Sequence, residues 1–325
     1  MKPLTFKILR LLSDREFHSG ETLAEKLQVS RATIWQALRP LEQTGFALQR
    51  IRGRGYRLPA GIEWLDKNQV LNAMGETGAR VTLDILDRVE STNSLLMTQA
   101  ARGAPHRRCI AAEAQQQGRG RRGRQWCAEL GGGIAFSLLW RFPQGASALS
   151  GLSLAAAVAV IRALREQGVH DARVKWPNDI LHHHRKLAGI LIELQGEALG
   201  PSAAVIGIGL NVKLSPRTRE TIDQAVTDLH AIVGAPVGRN QLLGCLLTHL
   251  IDVLDVFERD GLTPLHDEWL AHHAYHGKPV RLMLPDGSSH EGEITGIAAD
   301  GALMMRTLIG VRTFASGEIS LRAME

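Results

Sequence analysis

The chain has 325 residues, of which 44% are hydrophobic and 22% charged, so it is ordinary for a globular protein and long enough for two or three domains. No apolar run approaches the length of a membrane span and no signal peptide is recognisable, so we expect a cytoplasmic protein. The three cysteines are odd in number and far apart, and therefore predict neither a disulfide framework nor a zinc site.

The net charge of +5 is concentrated in the N-terminal segment. Residues 1–60 hold eleven basic and five acidic residues, a net charge of +6, so the remaining residues sum to −1. A basic surplus that is confined to one small segment indicates a polyanionic partner and favours nucleic acid.

The same segment has the pattern of a winged helix-turn-helix. Apolar spacing predicts a first helix within residues 2–13, a second that begins at Ser19 or Gly20, and a third capped by Ser30. A basic hairpin over residues 46–58 would form the wing, which contacts phosphate while the third helix enters the major groove. The residues expected to contact DNA are Ser30, Arg31, Thr33, Gln36, Arg39, Arg52 and Arg54. The alternative is a small helical protein-interaction domain.

The central region mixes strands and helices after a predicted linker at Pro59-Ala60-Gly61. Strands are expected at residues 81–86, 108–113, 134–140, 186–193 and 203–212, and helices at 92–102, 150–167, 239–258 and 262–271. Residues 217–228 are polar and lack strong elements, so they are a candidate mobile lid over a nucleotide.

One loop carries an unusual concentration of charge. The arginine-glycine loop, Gly118–Trp126, holds four arginines and three glycines within its first seven residues. Glycine permits close backbone approach and arginine binds carboxylate and phosphate, so the loop could hold a bound anion. The alternative is a solvated basic loop. Its glycines also match a dinucleotide fingerprint, but Trp126 and residues 131–133 could not open the helix that this fingerprint requires, so we reject that interpretation.

Two other stretches could contribute to a ligand site. A strand leads through Glu90-Ser91-Thr92-Asn93 into a helix, where free N–H groups point outward; simple helix capping is the alternative. Residues 174–180 end a strand in a proline turn that presents Asn178 and Asp179, an arrangement suited to Mg²⁺ and phosphate. The three histidines at 182–184 predict a hairpin tip rather than a metal site.

The C-terminal residues predict a small β-barrel. Five short strands are expected at residues 279–284, 291–297, 302–306, 311–314 and 319–322, separated by Asp-Gly turns. His272, His273 and His276 precede them and are expected at the surface.

The loop, the Asn178-Asp179 turn and Lys186 together suit nucleotidyl transfer. We recognise no Ser-His-Asp or Cys-His set in the sequence, so a covalent enzyme intermediate is not predicted. A substrate carboxylate would attack the α-phosphate of ATP, while arginine, lysine and Mg²⁺ offset the negative charge that develops.

In these motifs the chain resembles the family of bifunctional biotin protein ligases and biotin operon repressors. The matching motifs are Glu90–Asn93, Gln115 with Gly118–Trp126, Lys175–Asp179, Lys186–Glu193 and Gly207–Asn211. The resemblance implies an α+β multidomain fold: a winged helix-turn-helix (1–61), a class II synthetase-like α/β ligase core with a mixed sheet (62–272), and a small SH3-like β-barrel (273–325). A departure is Ala225-Val226, which replaces a Gly-Trp pair that covers adenine in some members.

The resemblance also implies residue roles. Biotin would contact Ser91, Thr92, Asn93, Gln115, Arg119, Gly120, Arg121, Lys186 and Gly189. ATP would contact Arg119, Arg121, Lys175, Asn178, Asp179, Lys186 and Asn211, with Asp179 also a ligand of Mg²⁺. Lys186 and Arg121 would be the catalytic residues, Arg121 limiting escape of the adenylate.

The activity implied is formation of biotinyl-5′-adenylate and its transfer to a lysine of the biotin carboxyl carrier protein of acetyl-CoA carboxylase. The adenylate would also act as corepressor, because the adenylate-bound form would dimerise on the operator DNA of biotin synthesis genes. The alternatives are a lipoate-type ligase, a biotin-sensing regulator without ligase activity, and a ligase that no longer represses.

Overall fold

The computed structural model describes residues 2–44, 46–58, 62–127, 129–284, 286–315 and 320–323; the predicted linker at 59–61 lies outside them. The N-terminal domain consists of helices α1 (Pro3–Leu11), α2 (Gly20–Leu27) and α3 (Arg31–Thr44), followed by strands β1 (Gln49–Ile51) and β2 (Gly55–Arg57). The two strands pair in antiparallel fashion, at the place where the wing was predicted.

The predicted caps fix the helix-turn-helix. Ser19 Oγ accepts a hydrogen bond from Thr22 N at 3.0 Å, and Ser30 Oγ accepts one from Thr33 N at 3.1 Å. Each bond satisfies an N–H that the first helical turn would otherwise leave without a partner. Between the helices Gln28 adopts a left-handed conformation with φ 54°, which turns the chain sharply into α3.

The central domain is built on a seven-stranded mixed sheet. Its elements in chain order are α4 (Lys67–Ala73), β3 (Thr82–Leu86), α5 (Thr92–Ala101), β4 (Arg108–Ala112), β5 (Gly133–Phe142), α6 (Leu152–Glu166), β6 (Ala172–Lys175), β7 (Asp179–His182), β8 (Arg185–Gly196), β9 (Ser202–Asn211), α7 (Pro216–Thr221), α8 (Leu229–Val233), α9 (Arg239–Asp260) and α10 (His266–Ala271). The strand order is β3-β4-β5-β9-β8-β7-β6. β3 and β4 are parallel, and the other neighbours are antiparallel.

The two faces of this sheet are covered differently. Along β9, Ile206, Ile208 and Leu210 pack with α6 and α9 in the main core. Val205 packs with Leu96 of α5 in a separate cluster on the other face. Successive side chains of a strand point to opposite faces, so α6 and α9 cover one face and α5 the other. The second face is left partly open beyond the N-terminus of α5.

The C-terminal domain is a five-stranded antiparallel sheet. Its strands are β10 (Pro279–Met283), β11 (Ser289–Ile297), β12 (Leu303–Thr307), β13 (Gly310–Phe314) and β14 (Ser320–Ala323), in the order β13-β12-β11-β10-β14. The five strands were predicted, although Ile319 lies outside the described residues. Closure of the sheet into an SH3-like barrel stays a prediction. The buried Trp176 ties the domain to the core, because its indole N–H donates to Gly301 O at 3.0 Å.

The structure corrects several expectations. α4 was not predicted, and the polar segment 217–228 includes most of the short helix α7. His273, expected at the surface, is buried, with its ring stacked on Trp269 at 4.7 Å.

Two helical segments, Ala146–Glu166 and Arg239–Asp260, are long and apolar enough to span a membrane by length and composition alone. Most of each apolar stretch, 72% and 67% respectively, is buried within the protein, as is usual for helices of a hydrophobic core.

Candidate active site

A cleft opens on the sheet face that α5 covers only in part. It is lined by the N-terminus of α5, the arginine-glycine loop, the turn before β7, and parts of β8 and β9. Nearly all the residues predicted to bind biotin and ATP lie along it, namely Ser91, Thr92, Asn93, Gln115, Arg119, Gly120, Arg121, Lys175, Asn178, Asp179, Lys186 and Gly189. The fold therefore brings together motifs that are up to about a hundred residues apart in sequence.

The first wall of the cleft is a buried polar network at the start of α5. Gln115 Oε1 accepts hydrogen bonds from Thr92 N at 2.8 Å and from Thr92 Oγ1 at 3.1 Å. Ser137 Oγ, from the neighbouring strand β5, lies 2.8 Å from Thr92 Oγ1 and 2.5 Å from Asn93 Oδ1. A network satisfied in this way holds its side chains in fixed orientations, which suits recognition of a polar ring edge.

Asn93 connects this network to the charged part of the cleft. Its amide donates to Glu193 Oε2 at 3.0 Å and to Leu191 O at 3.2 Å. Glu193 in turn lies 2.9 Å from Arg119 Nη2. Gly207 is required opposite, because a Cβ at that position would come within 2.1 Å of Asn93 Oδ1. Contacts between side chains thus run without a break from the start of α5 to the arginine-glycine loop.

The arginine-glycine loop folds over the cleft without forming an α-helix. It contains a short 3₁₀ turn, Arg121–Gly123, and it is followed by β5, so the rejection of the dinucleotide fingerprint is confirmed. Arg121 Nη1 donates to Asn178 Oδ1 at 3.0 Å, which holds the loop against the opposite wall. Burial lowers the pKa of Arg121 from its usual range, and the nearby charge of Arg122 adds to this effect.

The second wall carries a pair of opposite charges. Lys186 Nζ lies 2.8 Å from Asp179 Oδ1, and both side chains are largely buried, with 16% and 17% exposure. The contact is an ion pair and not a well-directed hydrogen bond, since Asp179 Oδ1 accepts none from the described residues. Asp179 stands opposite Gly189 in the β7–β8 pairing, so strand register fixes the position of the carboxylate.

Trp126 forms the floor of the cleft. Its ring lies so close to Gly209 that a Cβ there would come within 2.2 Å of it, and a Cβ at Gly189 would come within 3.2 Å. Lys186 Nζ is 5.8 Å from the ring centroid. The glycines of β9 therefore leave room for side chains of the protein itself, Trp126 at Gly209 and Asn93 at Gly207.

Asn211 differs from the other predicted ligand residues. It does not line the cleft and is only 4% exposed. Its amide donates to Thr227 O at 3.1 Å, so it contacts the candidate lid. The lid is also hydrogen-bonded to the backbone of Lys186. The backbone N–H of Lys186 donates to Ala225 O at 2.8 Å, and its backbone carbonyl accepts from Thr227 N at 3.0 Å.

Sequence reasoning missed two residues of the site. Glu193 was quoted only as the end of a motif, and Ser137 was one residue of an alternating strand. Both are partners of Asn93, but they come from β8 and β5, so only the strand order brings them together. A polar residue at a buried strand position, such as Ser137 with 0% exposure, is the signal that could have found it.

Most of the predicted DNA-contacting residues are exposed on the N-terminal domain. Arg31, Gln36 and Arg39 of α3 are exposed, as are Arg52 and Arg54 of the hairpin. Ser30 and Thr33 are engaged in capping α3. Arg39 lies over the Trp35 ring at 5.2 Å, and Arg54 lies over the Phe17 ring at 4.4 Å, so aromatic side chains orient two of these charges.

Comparison with known proteins assigns the chain to a family. Three family models match in order: HTH domain over residues 5–57, Biotin/lipoate A/B protein ligase family over 85–211, and Biotin protein ligase C terminal domain over 275–322. The chain is 36% identical over 323 residues to the bifunctional ligase/repressor BirA of Salmonella typhimurium, covering 99% of this chain and 98% of that one. The chain belongs to the bifunctional ligase/repressor family.

Further members and structures agree. The family member from Bacillus subtilis is 29% identical over 311 residues, covering 94% of both chains. The solved biotin protein ligase of Aquifex aeolicus in complex with biotin and ATP is 27% identical, with a TM-score of 0.65, and covers 75% of this chain and 99% of that chain. The predicted function, biotin ligation combined with helix-turn-helix repression, is confirmed by this membership. The lipoate-ligase alternative is not favoured.

Proposed function

We propose that the cleft activates biotin with ATP, holds biotinyl-5′-adenylate, and transfers the biotinyl group to a lysine of the biotin carboxyl carrier protein of acetyl-CoA carboxylase. The observation that carries the proposal is the juxtaposition of the Lys186–Asp179 pair with the Arg121–Asn178 contact in one partly covered cleft. Cationic groups of this kind stabilise the charge that develops at a carboxylate and a phosphate during adenylation.

Biotin would be held at the first wall. The Thr92–Gln115–Ser137 network presents fixed donors and acceptors for the ureido edge of its ring, next to Ser91 and Asn93. Arg119, Gly120 and Gly189 would complete this pocket. With the ring fixed there, the carboxylate would point toward Lys186, and holding the reactants in position in this way is a large part of the catalysis of such reactions.

In the first half-reaction an oxygen of the biotin carboxylate attacks the α-phosphorus of ATP, and the bond to pyrophosphate breaks. Lys186 and Arg121 would neutralise the charge that grows on the phosphorus oxygens. Lys175, Asn178 and Arg119 would position the triphosphate, and Asn211 would act through the lid. In the second half-reaction the carrier lysine attacks the acyl carbon, and AMP leaves.

Asp179 is the residue proposed to hold Mg²⁺. It is the carboxylate of the cleft whose Oδ1 is buried and accepts no hydrogen bond from the described residues, so it could serve as an oxygen ligand once Lys186 turns to substrate. Mg²⁺ bound there would supply charge neutralisation at the triphosphate. One carboxylate together with phosphate oxygens is a usual coordination for this ion.

The repressor role would use the N-terminal domain as a winged helix-turn-helix. α3 would enter the major groove of an operator of biotin synthesis genes, and the hairpin arginines would contact phosphate. The adenylate-bound protein would form a homodimer, since a two-fold operator requires two copies of α3.

We further propose domain boundaries at 1–61, 62–272 and 273–325, a class II synthetase-like core, an SH3-like barrel at the C-terminus, and a cytoplasmic location.

The deciding experiment is transfer of biotin to the carrier protein. Purified chain, ATP, Mg²⁺ and labelled biotin should label one carrier lysine, and lipoate should not replace biotin. Lys186→Gln should abolish labelling, whereas Lys213→Gln, at an exposed lysine outside the cleft, should not. If the parent chain labels no carrier lysine, the ligase proposal fails, and the alternative of a biotin-sensing regulator without ligase activity remains.

Repression needs a separate measurement. Binding to the region upstream of biotin synthesis genes should tighten when both biotin and ATP are present, because the adenylate would be the corepressor. Sedimentation under the same conditions should show the dimer. DNA binding that is indifferent to biotin and ATP would rule out this form of corepression while leaving the ligase proposal intact.

A further inference from the structure

A cluster of three potential metal ligands lies far from the cleft. Glu166 is the last residue of α6, and Cys245 and His249 lie on α9. Cys245 Sγ is 3.0 Å from Glu166 Oε2, and His249 Nε2 is 2.7 Å from Glu166 Oε1. The three ligand atoms all lie within 4.8 Å of one another. We infer that Glu166, Cys245 and His249 form a zinc site that joins α6 to α9.

The geometry is close to what zinc requires. Cys245 and His249 are four residues apart on one helix, so their side chains share a face and stand one turn apart. Tetrahedral zinc with ordinary Zn–S, Zn–N and Zn–O bonds places its ligand atoms roughly 3 to 4 Å apart. The contacts of Glu166, at 2.7 and 3.0 Å, are slightly shorter than this spacing, and its carboxylate can move outward because the side chain is 59% exposed.

The donor types select the metal. A thiolate, an imidazole and one carboxylate suit zinc, whereas Mg²⁺ and Ca²⁺ prefer oxygen ligands throughout. Three protein ligands leave the fourth position for water. That position would face solvent beside Glu166, and the His249 side chain is 20% exposed, so an ion could enter from this side while Cys245 is buried beneath it.

The position of Glu166 in its helix supports the inference independently. A carboxylate in the last turn of a helix faces the negative end of the helix dipole, which is an unfavourable place for an anion. Ala163 O, one of the carbonyls of this last turn, is 3.9 Å from Cys245 Sγ. A divalent cation between the two helices would interact favourably with both the carboxylate and the negative end of the dipole.

The bound zinc would stabilise the fold and would take no part in catalysis. α6 and α9 pack on the sheet face opposite the cleft, so the ion could not touch bound substrates. Zinc would instead link the C-terminal end of α6 to the middle of α9, and binding to the folded chain alone raises stability by mass action. The cysteine pattern did not predict this because Glu166 is 79 residues from Cys245 in sequence.

The test is cobalt and zinc binding to the full-length chain after chelator treatment, in a reductant that contains no thiol. Cobalt should bind with one equivalent and give a thiolate-to-cobalt charge-transfer band in the near ultraviolet, and zinc should abolish that band. Cys245→Ser should remove the band, and His249→Gln should weaken affinity at least ~10-fold. Cys127→Ser, at an exposed cysteine outside the cluster, is the matched control and should retain the band.

Thermal unfolding gives a second readout. Zinc should raise the Tm of the parent chain and of Cys127→Ser by more than that of His249→Gln, which alters a partly exposed residue and leaves the buried thiol in place. Cobalt binding without a thiolate band, loss of the band in Cys127→Ser alone, or an equal rise in Tm in all three chains would each overturn the inference.

Discussion

The carboxylate of Glu193 lies 2.9 Å from the guanidinium of Arg119, and the same carboxylate accepts a hydrogen bond from Asn93. One acidic side chain therefore orients two residues that we assign to biotin binding. Arg119 is half exposed, so this ion pair is partly screened by solvent, and its effect on the site should exceed its effect on stability.

Glu193→Gln should weaken biotin binding. The amide keeps the shape of the side chain but loses the charge that orients Arg119, so we expect KM for biotin to rise about fivefold, equivalent to roughly 1 kcal/mol, with a smaller change in kcat. Steady-state labelling of the carrier at varied biotin measures both constants. Glu291→Gln removes a comparable surface pair with Arg281 and should leave KM unchanged. Equal effects of the two substitutions would remove the positioning role from Glu193.

Arg121→Gly should release adenylate from the cleft. The substitution removes the hydrogen bond to Asn178 that holds the arginine-glycine loop across the cleft, so the activated acyl group should reach solvent. We expect biotin on lysines of an unrelated bystander protein, at a level at least about tenfold above that given by the parent chain. Blotting for biotin detects this labelling. Labelling confined to the carrier lysine would contradict the retaining role of Arg121.

Gly209→Ala should displace Trp126 from the floor of the cleft. The new methyl group would lie within 2.2 Å of the indole ring, a distance that forces the ring to move. Biotin affinity measured by calorimetry should fall about tenfold or more. Gly238→Ala is the control, since its backbone φ of −68° accepts alanine and its Cβ would meet no atom closer than 3.8 Å. Unchanged biotin affinity in Gly209→Ala would show that Trp126 does not shape the pocket.

Arg52→Ala should weaken DNA binding without changing sequence preference. A wing arginine on phosphate contributes affinity through counterion release, so binding to operator and to unrelated DNA should weaken alike. The plot of log K against log salt concentration has a negative slope, and the magnitude of that slope should decrease by about one. Arg281→Ala alters an exposed arginine of the C-terminal domain and should keep the parent slope. A loss confined to operator DNA would place Arg52 on a base instead.

Acid should destabilise the fold through His273. Burial, with a smaller effect of His276, lowers the pKa of His273 to about 3, whereas the unfolded chain has an ordinary value near 6.5. As pH falls below 6.5 the unfolded chain takes up a proton that the folded chain refuses, so the free energy of unfolding decreases. The expected contribution is about 2 kcal/mol between pH 7 and pH 5.

His273→Phe should reduce this acid sensitivity, because phenylalanine keeps the ring that stacks on Trp269 and has no titrating nitrogen. Denaturant unfolding at pH 7 and pH 5 measures the difference for each chain. His170→Gln, at an exposed histidine, should behave as the parent chain does. An identical loss of stability in His273→Phe and the parent would assign the acid sensitivity to other groups.

Local patterns predicted the N-terminal domain well and the site in part. The helix caps at Ser19 and Ser30 are interactions between residues three apart, so the sequence contains both partners. The arginine-glycine loop was evident from composition. Glu193 and Ser137 were missed because their roles depend on β5 and β8 lying on either side of β9, and no local pattern contains that strand order.

Burial was the other quantity that local patterns misjudged. His273 lies in a histidine-rich stretch with the composition of a polar surface, yet its backbone forms a bridge with Val174 at the edge of the large sheet. The ring itself stacks on Trp269 and lies edge-on to Tyr275. A contact between domains of this kind depends on the whole fold, so periodicity within one segment could not reveal it.

The backbone N–H and C=O of Lys186 both hydrogen-bond to the candidate lid, at Ala225 and Thr227, and so hold this segment in place. Any ligand that stabilises this segment also restrains the lysine, and any ligand that engages the lysine restrains the segment. Such coupling is reciprocal in free energy, so nucleotide and biotin should each tighten binding of the other by the same factor. The protein would then behave as a coincidence detector, responding strongly only when both substrates are abundant.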